Sequence, residues 1–179
     1  MKHTIYLFLI LGCLHSCQQK PAAEVQEITT ITDTVPPMPV PQGMVSDYAG
    51  IFTAEQVKAL ESLVLEYEKR TTNEIGVAVI DSTMADSTGF EDFTLNLAST
   101  WGVGKKGKHN GVLIVIAPHL RRIRIQNGRG IEKIFTSEET QQVIDSVFVP
   151  QFRTGGYFRG TSAGIQAIIR ELDQQQEQK

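Results

Sequence analysis

Seven consecutive residues, Gly111-Val-Leu-Ile-Val-Ile-Ala117, carry no polar side chain. A strand this apolar has no face to give to water, so it demands cover on both sides. Glu74 to Ile80 is a second short apolar run, with Val77, Val79 and Ile80, and is predicted to be another strand. After a turn at Pro118 to Leu120, Arg122 to Asn127 alternates charged and apolar residues and puts Ile123 and Ile125 on one side. That pattern predicts a hairpin partner with one half-exposed face.

Helices flank these strands. Thr53-Ala-Glu-Gln56 spells a capping box, and Val57, Leu60, Val64 and Tyr67 then fall on one helical face. Thr88-Gly-Phe-Glu91 predicts a second box, with Phe90, Phe93, Leu97 and Trp101 as the apolar face. Thr136-Ser-Glu-Glu139 opens a third helix, carrying Val143, Ile144 and Val147 and stopped by Pro150. Ile165, Ile168, Ile169 and Leu172 line a fourth. The order is α-β-α-β-β-α-α. A central mixed sheet buried on both faces then makes a three-layer α/β/α sandwich.

The first twenty residues constrain location. Lys2 and His3 are basic, Ile5 to Leu14 are mostly aliphatic, and polarity returns at Gln18. The apolar run is shorter than the ~20 residues that span a bilayer. A basic start and a short apolar core are what an export signal offers its machinery. Leu14-His15-Ser16-Cys17 resembles the lipobox of bacterial lipoproteins, in which cleavage precedes a cysteine that becomes acylated. Cys13, in Ile10-Leu-Gly-Cys13, is a rival; Cys17 is favoured because the apolar core ends at Leu14. Residues 1–16 are then the signal and Cys17 the lipidated residue. Residues 17–43, ending in Pro36, Pro37, Pro39 and Pro41, form a semi-rigid tether. The folded domain is expected over 44–172 and a frayed Gln-rich tail over 173–179. This places the protein at the bacterial cell envelope, outside the cytoplasm, joined to the membrane by its N-terminal lipid, with an unidentified envelope protein as partner.

Both cysteines precede residue 18, so the domain holds no disulfide, thiolate zinc site or cysteine nucleophile. Between Met44 and Thr100 there are ten acidic and three basic residues; between Trp101 and Lys133 there are eight basic and one acidic. Such a segment either binds anions or is balanced by acidic neighbours in the fold. It lacks interleaved aromatics for base stacking, so nucleic acid is not an expected partner. Arg121, Arg122 and Arg124 are candidates for contact with anionic lipid.

Three loops can carry chemistry. Asp47, in Ser46-Asp-Tyr-Ala-Gly50, precedes the first helix and either ligates a hard cation or caps a turn. Asn110, in Trp101-Gly-Val-Gly-Lys-Lys-Gly-Lys-His-Asn-Gly111, offers an amide oxygen at the strand mouth or makes a tight turn. This loop lacks the Gly-x-x-x-x-Gly-Lys-Ser/Thr order of a phosphate loop. Asn127-Gly128-Arg129-Gly130 can receive an anion on its backbone amides and on Arg129, with Arg124 nearby in sequence. No histidine pair at zinc spacing and no Gly-x-Ser-x-Gly elbow is present.

Taken in order, GMVSDYAGIFTAEQ, NEIGVAVI, WGVGKKGKHNGVLIVIAP, RRIRIQNGRGIEKIFT and FVPQFRTGGYFRGTSAGIQAII resemble the TPM domain family over about Val40 to Leu172. The resemblance implies an α/β/α sandwich. Members occur in the plant thylakoid lumen, in bacterial envelopes and as an animal receptor-accessory protein. Some plant members are described as acid phosphatases, others as metal-binding domains, and calcium is associated with the fold. The resemblance thus implies a cleft where Asp47, Asn110 and the Asn127-Gly128 loop converge, with Asp47 as ligand, nucleophile or base. The chain departs from the family pattern at His109, Gln126 and Ser137, where relatives often carry acidic residues or asparagine. Each change removes a possible anionic ligand, so a weak calcium site on an accessory module is expected ahead of a metal-dependent acid phosphatase.

Overall fold

A computed structural model describes residues 38–177. Four strands form one sheet in the order β1-β2-β3-β4: β1 (Val45–Asp47), β2 (Glu74–Val79), β3 (Gly111–Ala117) and β4 (Arg122–Asn127). β1, β2 and β3 are parallel, and β4 returns antiparallel to β3. The sheet is mixed, as expected. β1 was not foreseen in the sequence, because three residues are too few to show alternation.

The helices are α1 (Ala54–Thr71), α2 (Phe90–Trp101), α3 (Ser137–Val143), α4 (Val149–Arg153) and α5 (Tyr157–Glu177). All of β3 is buried. Its Val112, Ile114 and Ile116 face a core filled by Leu60 and Val64 of α1, Phe148, and Ile165, Ile168 and Leu172 of α5. Leu113, Val115 and Ala117 face a smaller core with Phe90 and Leu97 of α2. Strand alternation therefore feeds two helical layers from one strand, and the three-layer sandwich follows.

The capping boxes at Thr53 and Thr136 both form. The one expected at Thr88 does not: α2 is capped at Gly89, and the Asp86 carboxylate instead accepts the Thr88 and Gly89 amides at 2.9 and 2.7 Å. Nor does Pro150 stop the third helix. A π turn over Ile144–Phe148 leads into α4, where Pro150 sits in the first turn. Proline is tolerated there because first-turn amides need no helical acceptor.

Two domain limits move. Residues 38–43, read as tether, are docked: Trp101 Nε1 donates to the Pro39 carbonyl at 2.7 Å, the Tyr48 hydroxyl to Val40, and Met38 packs on the α2-side core. At the other end α5 continues to Glu177, and Asp173 takes both Arg70 guanidinium nitrogens at 3.1 and 2.9 Å. The leader, Cys17 and most of the tether lie outside the described residues.

Candidate functional site

Sheet register decides where the predicted site residues stand. Asp47 aligns with Val79, Val79 with Ile116, and Ile116 with Ile123, so Asp47 lies at the C-terminal end of the parallel strands. Asn110 precedes β3 at the opposite end, and Asn127 aligns with Val112 at that same end. With ~3.3 Å per residue along a strand and ~4.8 Å between strands, Asp47 stands about 20 Å from either asparagine. The expected convergence of Asp47, Asn110 and Asn127 in one cleft therefore does not occur. β1 had not been recognised as a strand, so its register, and with it the end of the sheet that Asp47 occupies, was invisible.

Each residue has its own local setting. Asp47 Oδ2 accepts the Phe52 amide at 2.7 Å and closes the loop into α1. Its Oδ1 is buried and has no hydrogen-bond partner among the described residues. Asn110 is structural: Nδ2 donates to the Thr72 carbonyl at 2.7 Å and to Asn73 Oδ1 at 3.1 Å, and Oδ1 accepts the Lys105 amide at 2.9 Å. Asn73 passes the network to the Tyr67 hydroxyl at 3.1 Å, and burial pushes that phenol up from its ordinary pKa. Asn127 Nδ2 donates to Thr140 Oγ1 at 2.8 Å, while its Oδ1 is buried without a partner.

The two glycine loops interlock. Gly128 N–H donates to the Gly111 carbonyl at 2.8 Å and Gly130 N–H to the His109 carbonyl at 2.9 Å. A methyl on Gly128 or Gly130 would strike the His109 or Lys108 carbonyl. Those glycines serve close backbone approach, and the two amides are not available to an anion, contrary to the sequence reading of Gly128-Arg129-Gly130. Arg124 does not join them either: its guanidinium pairs with Glu91 of α2 at 3.1 Å. Arg129 borders an open cleft of about 740 Å³ with Lys105, Lys106 and His109.

Part of the charge asymmetry resolves into ion pairs between the two halves, made by three of the eight basic residues, Lys105, Arg122 and Arg124. Lys105 bridges Glu68, at 2.6 Å, and Glu74, and these hydrogen bonds raise its ammonium pKa above the ordinary lysine range. Arg122 and Arg124 share Glu91. Among the described residues no three histidine, cysteine or acidic side chains are grouped to hold a metal ion.

A mixed four-stranded sheet sandwiched by helices, with glycine loops knitted at one end and a capping aspartate at the other, defines an α/β sandwich domain. The chain belongs to the TPM domain family, whose model matches residues 45–171. It is 32% identical to the N-terminal domain of a protein from P. gingivalis solved by NMR; the match covers 75% of this chain and 84% of that one, with a TM-score of 0.67. The BA42 protein of the psychrophilic bacterium Bizionia argentinensis is 24% identical, over 69% and 83% of the two chains, with a TM-score of 0.60, and shares the fold. An N-terminal domain from Corynebacterium glutamicum, 15% identical over 73% and 80%, superposes with a TM-score of 0.55. No curated protein matches the chain.

Proposed function

We propose that the protein is a lipid-anchored accessory module of the bacterial envelope, which binds a partner protein outside the cytoplasm. The observation that carries this reading is the division of the candidate polar residues between the two ends of the sheet. Hydrolysis needs nucleophile, acid or base and charge stabiliser within hydrogen-bond reach of one substrate. Here Asp47 stands about 20 Å from Asn110 and Asn127, and Arg124 is held on the α2 face by Glu91. The leader ending in Leu14-His-Ser-Cys17 supports the anchor. Several acyl chains, at ~0.8 kcal/mol per buried methylene, hold where one chain would hold only marginally. Mass spectrometry of the membrane-extracted protein is expected to show an acylated N-terminus at Cys17. An unmodified mature N-terminus, or the full precursor, rejects the anchor.

Calcium is tested against the same geometry. A hard divalent cation takes six or more oxygen ligands. Asn110 has no amide atom to give, and Asp47 and Asn127 cannot share an ion, so the three do not compose one site. The buried, unpartnered Asp47 Oδ1 and Asn127 Oδ1 remain as lone ligand oxygens at opposite ends of the sheet, and the Asp47 carboxylate is the observation favouring the competing reading, phosphate-ester hydrolysis at acidic pH. Calorimetry of the protein and of Asp47→Asn with calcium, beside a phosphate-ester assay, decides. The accessory reading expects no heat of binding beyond weak, millimolar association and no hydrolysis. Turnover abolished by Asp47→Asn would establish the enzyme instead, and micromolar binding lost in the same variant would establish a calcium site at Asp47.

A further inference from the structure

β4 ends the sheet, and its outer edge faces a groove. Gly128 N–H donates to Gly111, so the pair Gly111–Gly128 is hydrogen-bonded, and by antiparallel alternation so are 113–126, 115–124 and 117–122. The backbone N–H and C=O groups of Ile123, Ile125 and Asn127 therefore point away from β3. Among the described residues they make no backbone hydrogen bond. Edge groups of this kind template pairing with another extended chain.

A helical wall stands beside the edge. A cavity of about 550 Å³ separates Arg122 and Ile123 from Val149, Phe152 and Arg153 of α4. A second, of about 200 Å³, lies between residues 124–127 and Gln141 of α3 and Ile144 of the π turn; Glu132 also lines it, and the Asn127–Thr140 hydrogen bond crosses to α3 at one end. Every residue of β4 thus borders one cavity or the other, over about 20 Å of strand.

The two faces of the edge differ. Arg122 and Arg124 point to the α2 side, where one carboxylate, Glu91, serves both. Exposed Arg121 and Arg153 line the larger cavity, and neither has an ion pair among the described residues. On the other side Ile123, Val149 and Phe152 are half-buried apolar surface. Arg121 adds a local signal: its φ of 52° is left-handed, a conformation that favours glycine and costs arginine roughly 1 kcal/mol.

We infer that the open edge of β4, walled by α3 and α4, docks an extended peptide whose residues alternate acidic and apolar. This rests on the partner-binding reading and gives the partner a chemistry. The added strand bonds to Ile123, Ile125 and Asn127. Its acidic side chains lie across from Arg122 and Arg124, and its apolar ones pack on Ile123 and the α4 wall. A second copy of β4 is a poor occupant, because it would set arginine against arginine.

The test uses the full chain in detergent micelles and a blocked six-residue peptide alternating glutamate and valine. Amide exchange at Ile123, Ile125 and Asn127 is expected to slow on binding, and affinity to fall with added salt. Ile123→Pro removes an outward donor that is not in the β3 ladder and should weaken binding about tenfold, whereas Ile123→Ala, which trims the same core packing but keeps the N–H, should weaken it clearly less. Arg124→Glu should weaken it by about fivefold and favour instead a control peptide of the same length alternating lysine and valine. Unchanged exchange at the three amides, equal affinity for both peptides, or their protection by self-association without peptide each overturns the groove. Crosslinking in native envelopes separates the two levels: adducts that map away from β4 keep the accessory role and reject this site, whereas no protein adduct on any surface rejects the role itself.

Discussion

Gly111→Ala is expected to destabilise the protein by about 3 kcal/mol, seen as a fall in Tm of about 10 °C. An added methyl falls on the Val103 carbonyl and beside the Gly104 amide, which are backbone and cannot rotate away. The strand mouth must then separate from the 103–110 loop. That movement pulls on the Gly128 and Gly130 hydrogen bonds to Gly111 and His109. Thermal melting, with amide exchange at Gly128 and Gly130, measures both effects. Gly50→Ala is the control: φ is +64° there but nothing lies within 4 Å, so only the left-handed penalty of roughly 1 kcal/mol applies. Gly111 itself has no positive φ, so a loss no larger than that at Gly50 would mean that the 103–110 loop yields and that close approach does not select Gly111.

Gly164→Ala tests a case where local and tertiary preferences oppose each other. In a helix interior alanine is favoured over glycine by about 0.5–1 kcal/mol. Gly164 lies within α5, yet its missing side chain is occupied by the ring of Phe148, which is fully buried. Gly160, one turn earlier, receives Phe152 in the same way. The net expectation is a loss of about 2 kcal/mol, read by denaturant unfolding. Phe148→Leu in the same chain should recover part of it, so that the double variant is more stable than the two single losses would sum to. A Gly164→Ala protein more stable than the parent would show that the ring can move and that the helix preference wins.

Much of the fold was legible because it depends on period. The unbroken apolar run of β3 demanded two covering layers, and the chain has them. Thr53 and Thr136 cap as their spacing predicts, since a capping box involves only residues three apart. The Thr88 box failed because Asp86 takes the Thr88 amide while the Glu91 carboxylate that would have accepted it pairs with Arg122 and Arg124, a competition that spacing alone does not rank. Pro150 was read as a stop because sequence shows the proline but not the π turn that sets it in a first helical turn. The candidate site was less legible. Asn110 has the same short polar side chain whether it ligates an ion or closes a turn, and only its three partners, Thr72, Asn73 and Lys105, show which. The β4 edge did leave a signal, the alternation of Arg122 to Asn127, but whether a fifth strand or a groove lies beyond it was not in that pattern.

By itself the amino-acid order determined the layers, most of the helices and the family to which the chain belongs, since local spacing and burial demand act over a few residues. It also wrote the export-like leader and the uneven charge of the two halves. Only the tertiary structure decided which end of the sheet each polar residue occupies. Register is a relation between segments distant in sequence, and a strand of three residues sets it for Asp47. The same long-range pairing tied Lys105, Arg122 and Arg124 of the basic segment to Glu68, Glu74 and Glu91, and left one six-residue edge open beside a helical wall.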